Sequence, residues 1–291
     1  MVKGSYVALV TPFNDNEVDY NALEKLIEFH IENETDGILL MGTTGESPNL
    51  ASDERERLVQ FCIQKIAKRV PIMLGTGTNN YHHTLALTKR AEKLGVDYAL
   101  VITPYYVKPT QKSLYEYFKK IAEQVSIPII IYNVPGRTGV NMDSSTTIKL
   151  ANECKNIVGI KEATGDILQA SRIVRDTDSD FSVMSGEDAL ILPLMSVGVK
   201  GTISVTANVV PAKVHKLCKL ALEGKMEEAR ELHLELLELN SVLFIETNPI
   251  PVKEALAMMG YIKREIRLPL TLLEDKNRET LRESLIKYKL I

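Results

Sequence analysis

The chain has 291 residues, of which 45% are hydrophobic and 25% charged, and a formal net charge of −3; this composition is typical of globular proteins and excludes an intrinsically disordered chain. The 35 basic and 38 acidic residues are mixed along the sequence, so no basic tract indicates nucleic acid or an anionic membrane as a partner. No apolar run approaches the ~18 residues of a membrane span, and the first apolar stretch ends at Thr11-Pro12, too early for an export signal.

Eight short apolar runs recur along the chain at intervals of roughly 20–35 residues, and a segment of helical periodicity follows each. The predicted strands begin at Val7, Gly37, Pro71, Tyr98, Pro128, Ile157, Phe181 and Gly201. The clearest helical segments between them are Ala22 to Ile31, Glu54 to Ala67, Thr84 to Leu94 and Leu114 to Val125. Near-continuous Ile, Val and Leu runs are typical of parallel strands that are buried on both faces. We therefore predict an α/β fold, a closed (β/α)₈ TIM barrel with its helices outside.

After Gly224 the periodicity is wholly helical. One apolar stripe consists of Ala229, Leu232, Leu236, Leu239 and Leu243, and further helical patterns start at Val252 and Arg278. We predict a catalytic barrel over residues 1–224 and a C-terminal extension of three helices over residues 225–291. The stripe should pack on the barrel or on a sister subunit.

The active site of such a barrel lies at the C-terminal ends of its strands. Four predicted strand ends carry reactive or anion-binding residues: Gly42 to Ser47, Thr103 to Tyr106, Tyr132 to Gly139, and Lys161-Glu162. Packing alone does not explain polar groups at the ends of the second, fourth, fifth and sixth strands, so we expect them to form one site at the barrel mouth.

Lys161 ends an apolar strand, and period-two alternation puts it on the same face as Gly159 and opposite Ile160 and Glu162. If that face is the barrel interior, desolvation disfavours the charged amine, which makes a lysine nucleophilic toward a ketone. The alternative is a lysine that extends to solvent at the barrel rim.

Tyr132 ends the neighbouring strand, where a phenol could transfer protons, and Thr43 and Tyr106 could extend that relay. Read singly, Tyr132 is more commonly a core tyrosine with a satisfied hydroxyl, and Thr43 and Tyr106 are each structural. Gly42 and Gly45 flank Thr43-Thr44 in a tight turn whose backbone N–H groups can face a carboxylate. Arg137 offers a planar fork for a second carboxylate, with an exposed salt bridge as its alternative.

Other chemistries find little support. Gly75-Thr76-Gly77 lacks the third glycine of a dinucleotide fingerprint, and no P-loop spacing occurs. The five histidines show no metal-ligand spacing, and we assign them to surfaces or caps. The three cysteines are far apart, without Cys-x-x-Cys spacing, and should be buried thiols of a reducing compartment. We expect no cofactor, no metal ion and a cytoplasmic protein.

The chain resembles the family of 4-hydroxy-tetrahydrodipicolinate (dihydrodipicolinate) synthases over nearly everything from Ser5 onward. The segments that carry the likeness are Gly42 to Ser47, Tyr132 to Gly139, Gly159 to Ala163, Val205 to Asn208 and Asn248 to Lys253. The resemblance implies a class I aldolase-type lyase of lysine and diaminopimelate biosynthesis that uses no cofactor. Lys161 would form a Schiff base with pyruvate, and the derived enamine would attack the aldehyde of L-aspartate 4-semialdehyde.

The resemblance also implies roles for further residues. Thr43 and Tyr132 would form a proton relay with a Tyr106 contributed by the adjacent subunit, which makes dimerisation a catalytic requirement. The implied pocket residues are Thr44, which holds the pyruvate carboxylate, with Gly186 and Ile203. Family members are commonly homotetramers of two tight dimers, and we expect the same here.

Arg137 would hold the carboxylate of the semialdehyde, and it separates this interpretation from the related aldolases. N-acetylneuraminate lyase and the keto-deoxy-sugar-acid aldolases share the lysine and the tyrosine but act on sugar-like aldehydes, and they remain the alternative. A barrel that binds a small acid without catalysis is a third hypothesis, because a fold does not fix a function.

Lysine-inhibited relatives bind lysine in a cleft at the tight-dimer interface. The matching residues here are Ser47, Ser52, Arg55, Asn79, His83 and Tyr105. His83 stands where such relatives present an acidic group to the ammonium of lysine, and Arg55 adds a like charge. We therefore predict weak or absent inhibition by lysine.

Overall fold

A computed structural model describes all residues from 1 to 291 and contains a closed barrel of eight parallel strands. The strands are β1 (Gly4–Ala8), β2 (Gly37–Leu40), β3 (Ile72–Gly75), β4 (Tyr98–Ile102), β5 (Ile129–Asn133), β6 (Ile157–Glu162), β7 (Ser182–Ser185) and β8 (Gly201–Ser204). Neighbours in the chain are neighbours in the barrel, and β1 closes it by pairing with both β2 and β8. The predicted (β/α)₈ barrel is confirmed.

Helices follow the strands and surround the barrel, and three more follow in the C-terminal part. They are α1 (Tyr20–Glu32), α2 (Ser52–Ile66), α3 (Tyr81–Leu94), α4 (Gln111–Ala122), α5 (Pro135–Thr138), α6 (Ser144–Glu153), α7 (Ile167–Asp176), α8 (Ile191–Met195), α9 (Pro211–Leu222), α10 (Met226–Val242), α11 (Ile250–Met258) and α12 (Asp275–Lys287). A small hairpin of Phe13–Asn14 and Glu17–Val18 lies between β1 and α1. Each helix is too short or too polar to cross a lipid bilayer.

The first strand begins three residues before the predicted start at Val7. Gly4 pairs with Gly201 and Ser5 with Thr202, so two small residues without apolar side chains start the strand. An apolar-run pattern gives no signal for such residues, which explains the error.

The barrel strands have two buried faces. Alternate residues point inward and form a cluster of 12 buried hydrophobic side chains that includes Ile130, Tyr132, Met184 and Ile203. The other residues point outward and join the helices in a cluster of 66. Near-continuous apolar runs are therefore required, because each strand is covered on both sides.

The C-terminal helices α10 to α12 pack on the barrel rather than standing apart from it. Leu236, Leu239 and Leu243 of the predicted stripe are fully buried and belong to the same outer cluster as the barrel helices. The three predicted helices are present, and the extension shares its apolar core with the barrel.

The histidine assignment was partly wrong. His30 is fully buried, with its Nδ1 3.3 Å from the Thr35 hydroxyl, and His233 is also buried. His30 lies on the apolar face of α1 with Leu26 and Ile27, so helical periodicity carried the signal. The three cysteines are buried free thiols, as predicted.

Candidate active site

Lys161 and Tyr132 face each other inside the barrel at the C-terminal ends of β6 and β5. Strand register pairs Lys161 with Tyr132 on one side and with Met184 on the other, and both partners belong to the inner cluster. Only 6% of Lys161 is exposed, and its Nζ lies 4.5 Å from the centroid of the Tyr132 ring. The amine makes no salt bridge within the chain. The face that Lys161 shares with Gly159 is therefore the barrel interior, and the alternative of a lysine at the rim is excluded.

Gly186 lies beside the lysine directly after β7, and Ile203 lies on β8. A Cβ atom on Gly186 would lie 2.5 Å from the Ala163 Cβ and 3.1 Å from the Lys161 Cε, so only glycine fits beside the lysine. Ile203 is buried in the inner cluster. Both residues therefore lie in the part of the barrel that holds Lys161.

Thr43 and Thr44 lie in the turn after β2. The turn is closed by hydrogen bonds from Gly45 N to Gly42 O, 3.2 Å, and from Glu46 N to Thr43 O, 3.0 Å. Thr43 lines the same cavity as Tyr132. Thr44 is buried, and its Oγ1 accepts a hydrogen bond from Asn248 Nδ2 at 3.0 Å.

Arg137 lies in α5, a four-residue helix that Pro135 starts directly after β5. The residue is exposed and forms no salt bridge. One amino group, Nη2, donates to the backbone carbonyl of Asn248 at 3.2 Å. The exposed salt bridge weighed as an alternative is therefore wrong, and most of the guanidinium fork is available to an anion.

Tyr106 lies outside the site of its own chain. It is 87% exposed and has a positive φ of 72° in the loop after β4. Its neighbour Tyr105, instead, lines the cavity. The contribution of Tyr106 to the site of an adjacent subunit stays a prediction.

Glu162 and Asn133, each one residue beyond the lysine and the tyrosine, form a polar pair on the outer face. Their strand positions are paired in register, and Asn133 Nδ2 donates to Glu162 Oε2 at 3.2 Å. Gln169 Nε2, at 3.0 Å, and the Thr164 N–H, at 2.9 Å, also donate to this carboxyl group. Burial raises the pKa of Glu162 above its usual range although these hydrogen bonds oppose the shift. The pair fixes the two strand ends relative to each other from behind.

Glu187 and Asp188 add two carboxyl groups after β7. Burial raises the pKa of both carboxyl groups above the usual range, although the nearby Lys161 opposes this shift. Asp188 accepts hydrogen bonds from the Val205 and Thr206 N–H groups at 2.9 and 3.0 Å, whereas the Glu187 side chain has no partner. Neither Glu187 nor Asp188 was identified from the sequence.

Glu46 and Lys253 form a buried ion pair behind the threonine turn. The Lys253 ammonium donates to Glu46 Oε1 at 2.6 Å, and 3% and 0% of the two side chains are exposed. Burial lowers the pKa of Lys253, and the Glu46 carboxylate opposes that shift. Asn248 and Lys253 belong to a segment that resembles the family. No local pattern, however, predicted their contacts with Thr44 and Glu46, which lie more than 200 residues earlier in the chain.

A cavity of about 490 Å³ leads outward from Tyr132 and Thr43. Its lining includes all six residues that the sequence placed in the cleft of lysine-inhibited relatives, namely Ser47, Ser52, Arg55, Asn79, His83 and Tyr105. The Arg55 guanidinium forms no salt bridge, and burial lowers its pKa. No group of three or more His, Cys, Asp or Glu side chains is placed to hold a metal ion.

Comparison with known proteins gives one consistent family. The sequence profile of the Dihydrodipicolinate synthetase family matches residues 1–288. The chain is 52% identical over 290 residues to the 4-hydroxy-tetrahydrodipicolinate synthase of Aquifex aeolicus, covering 100% of this chain and 99% of that protein. The crystal structure of dihydrodipicolinate synthase from A. aeolicus matches with a TM-score of 0.98 and covers 99% of both chains.

Two further solved structures bear on ligand and assembly. The chloride-inhibited dihydrodipicolinate synthase from Acinetobacter baumannii, complexed with pyruvate, is 45% identical, with a TM-score of 0.98 and full coverage of both chains, 100% each. A protein described as the first monomeric dihydrodipicolinate synthase variant is also 45% identical, with a TM-score of 0.98, and the match covers 99% of this chain and 97% of that one.

Proposed function

Since the chain belongs to the Dihydrodipicolinate synthetase family, we propose that it condenses pyruvate with L-aspartate 4-semialdehyde at the barrel mouth. Its activity is that of a 4-hydroxy-tetrahydrodipicolinate synthase, a lyase of the class I aldolase type in lysine and diaminopimelate biosynthesis. The observation that carries the proposal is the Lys161 amine, buried inside the barrel with its Nζ 4.5 Å from the Tyr132 ring.

The reaction starts with attack of the Lys161 amine nitrogen on the keto carbon of pyruvate. Loss of one water gives the Schiff base, and loss of a proton from the methyl carbon gives the enamine. The enamine carbon then forms a bond to the aldehyde carbon of the semialdehyde. The amino group of the product attacks the imine carbon, which closes the ring and releases Lys161.

Tyr132 and Thr43 supply the proton transfers of these steps. The phenol lies beside the amine, and Thr43 borders the cavity that begins at Tyr132. A hydroxyl relay needs a connection to solvent, and this cavity offers one. Tyr106 of an adjacent subunit completes the relay, since its own chain leaves it 87% exposed.

The two substrate carboxylates occupy different parts of the site. The Thr43-Thr44 turn holds the carboxylate of pyruvate, close to Gly186 and Ile203. Arg137 binds the carboxylate of the semialdehyde, because its exposed planar fork suits bidentate recognition.

We propose a homotetramer made of two tight dimers. Tyr106 and Val107 are 87% and 58% exposed in one loop, while Leu168 and Leu234 on α7 and α10 are 59% and 60% exposed. Contiguous exposed apolar surface marks interfaces, so the adjacent Tyr106 and Val107 support an interface at this loop. Mixing Tyr106→Phe with Lys161→Ala tests the shared site, because a hybrid dimer contains one site with both native residues. Activity that recovers on mixing supports sharing, and two variants that stay inactive together contradict it.

The function is tested by a coupled assay with pyruvate and L-aspartate 4-semialdehyde. Turnover is expected in the wild type and should be lost in Lys161→Ala. Borohydride with pyruvate should leave the mass of a reduced adduct on Lys161, whereas a binding protein without catalysis would acquire none. Trapping without semialdehyde turnover, together with cleavage of N-acetylneuraminate or a keto-deoxy acid, would identify a sugar-acid aldolase instead.

A further inference from the structure

Asn248 forms hydrogen bonds with Thr44 and Arg137, the residues assigned to the pyruvate and semialdehyde carboxylates. It lies between α10 and α11, separated by 204 residues from Thr44 and by 111 from Arg137, and is only 5% exposed. Its side-chain Nδ2 donates to the Thr44 Oγ1 at 3.0 Å, and its backbone carbonyl accepts from Arg137 Nη2 at 3.2 Å. One residue of the C-terminal extension thus joins two loops of the barrel mouth.

The hydrogen bond to Thr44 sets the direction of the threonine hydroxyl. A hydroxyl has one hydrogen to donate and two lone pairs that accept. Because Thr44 Oγ1 accepts the Asn248 N–H, its own hydrogen remains free to be donated to an anion. The amide therefore prepares Thr44 as a donor for a carboxylate.

The segment that carries Asn248 is itself fixed to the same turn. Lys253, farther along the segment, forms the buried 2.6 Å ion pair with Glu46, two residues after Thr44 in the turn that follows β2. This ion pair anchors the segment to the turn, so the Asn248 amide has little freedom to move away from Thr44. The long Arg137 side chain, which is otherwise exposed, has its one intrachain hydrogen bond here.

We propose that Asn248 is a positioning residue: its side chain orients the Thr44 hydroxyl toward the pyruvate carboxylate, and its carbonyl holds Arg137 for the second carboxylate. The identities of the two carboxylates rest on the proposed function. The C-terminal extension is thereby part of the substrate-binding apparatus.

Steady-state kinetics of Asn248→Ala test the proposal. Loss of one hydrogen bond should raise the KM for pyruvate about three- to tenfold. The KM for the semialdehyde should stay within about twofold, because alanine retains the carbonyl that holds Arg137. Asn248→Asp should raise the pyruvate KM further, since a carboxylate accepts the Thr44 hydrogen and repels the substrate. Asn248→Asp also serves as the test if the alanine variant does not fold.

A double-mutant cycle separates orientation of Thr44 from a general structural effect. In the Thr44→Val background, Asn248→Ala should no longer change the pyruvate KM. The matched control is Asn240→Ala, which removes another buried asparagine of the extension that pairs with a threonine, Thr206, at 2.8 Å. It should lower the Tm and leave the pyruvate KM unchanged.

An unchanged pyruvate KM in Asn248→Ala, an equal rise in Asn240→Ala, or undiminished effects in the Thr44→Val background would each overturn the proposal. Borohydride trapping with pyruvate is measured in parallel. A wild type that neither traps pyruvate nor turns over the semialdehyde contradicts the proposed function, whereas an active wild type with an insensitive Asn248→Ala contradicts only the role of Asn248.

Discussion

Replacing Lys253 with methionine would leave the Glu46 carboxylate buried without its cation. In the wild type the charged groups are 2.6 Å apart, with 3% of the lysine and 0% of the glutamate side chain exposed. Only the Asn49 amide and the Arg267 backbone N–H, each at 3.2 Å, would still donate to the carboxylate. Removing one partner of a buried pair costs about 3–5 kcal/mol, so we expect the free energy of unfolding to fall by that amount.

Chemical denaturation followed by circular dichroism measures this loss at a fixed protein concentration. The double variant Glu46→Gln, Lys253→Met should recover most of it, because no unpaired charge remains buried. The control Arg57→Met breaks an ion pair with Asp53 whose side chains are 61% and 73% exposed, and it should cost less than about 1 kcal/mol. A loss below about 1 kcal/mol in Lys253→Met, or a double variant as unstable as the single one, would refute the reasoning.

Three further outcomes are expected. Gly186→Ala should lower kcat about tenfold or more, because its Cβ would lie 3.1 Å from Cε of Lys161, the proposed nucleophile, and would displace it. Gly136→Ala, with nothing within 4 Å of its Cβ, should leave kcat unchanged, and equal kcat values in the two variants would contradict this. Burial lowers the pKa of His30 to about 3, so the folded state favours the neutral imidazole. The free energy of unfolding should therefore fall by about 1.4 kcal/mol per pH unit once the pH drops below the pKa of the unfolded chain, near 6.5. Between pH 7 and 5.5, the free energy of unfolding should fall more steeply in the wild type than in His30→Leu. Lysine should inhibit weakly or not at all because Arg55 and His83 line its expected cleft, and inhibition at sub-millimolar lysine in the coupled assay would disprove this.

The parts of the site that follow local rules could be predicted from the sequence. Strand alternation put Lys161 on the face of Gly159, opposite Ile160 and Glu162, and the position of Tyr132 at the end of the preceding strand brought the two residues to the same end of the barrel. The turn at Gly42 to Glu46 was also predictable from local sequence, because its hydrogen bonds join residues only three positions apart. Short-range periodicity contains this information.

The supporting contacts could not be predicted because they join distant segments. Asn248 and Lys253 reach Thr44 and Glu46 across about 200 residues, and nothing in either segment encodes its partner. The burial of His30, in contrast, was available from the sequence, because the residue lies on the apolar face of α1 with Leu26 and Ile27. The proposed role of Tyr106 differs again, since a residue that acts in another subunit would have no partner in its own chain.

The outer pair of Glu162 and Asn133 has a consequence for engineering. Its hydrogen bond holds the strand ends that carry Lys161 and Tyr132 from the outer face of the barrel, away from the substrates. Arg137, in contrast, lies on an exposed four-residue helix outside the strands. New acceptor aldehydes can therefore be sought by randomising that short helix alone, and the carbon nucleophile would still be generated at an undisturbed centre. Grafting the centre onto another barrel, in contrast, would require the hidden carboxyl–amide pair to be transplanted with it.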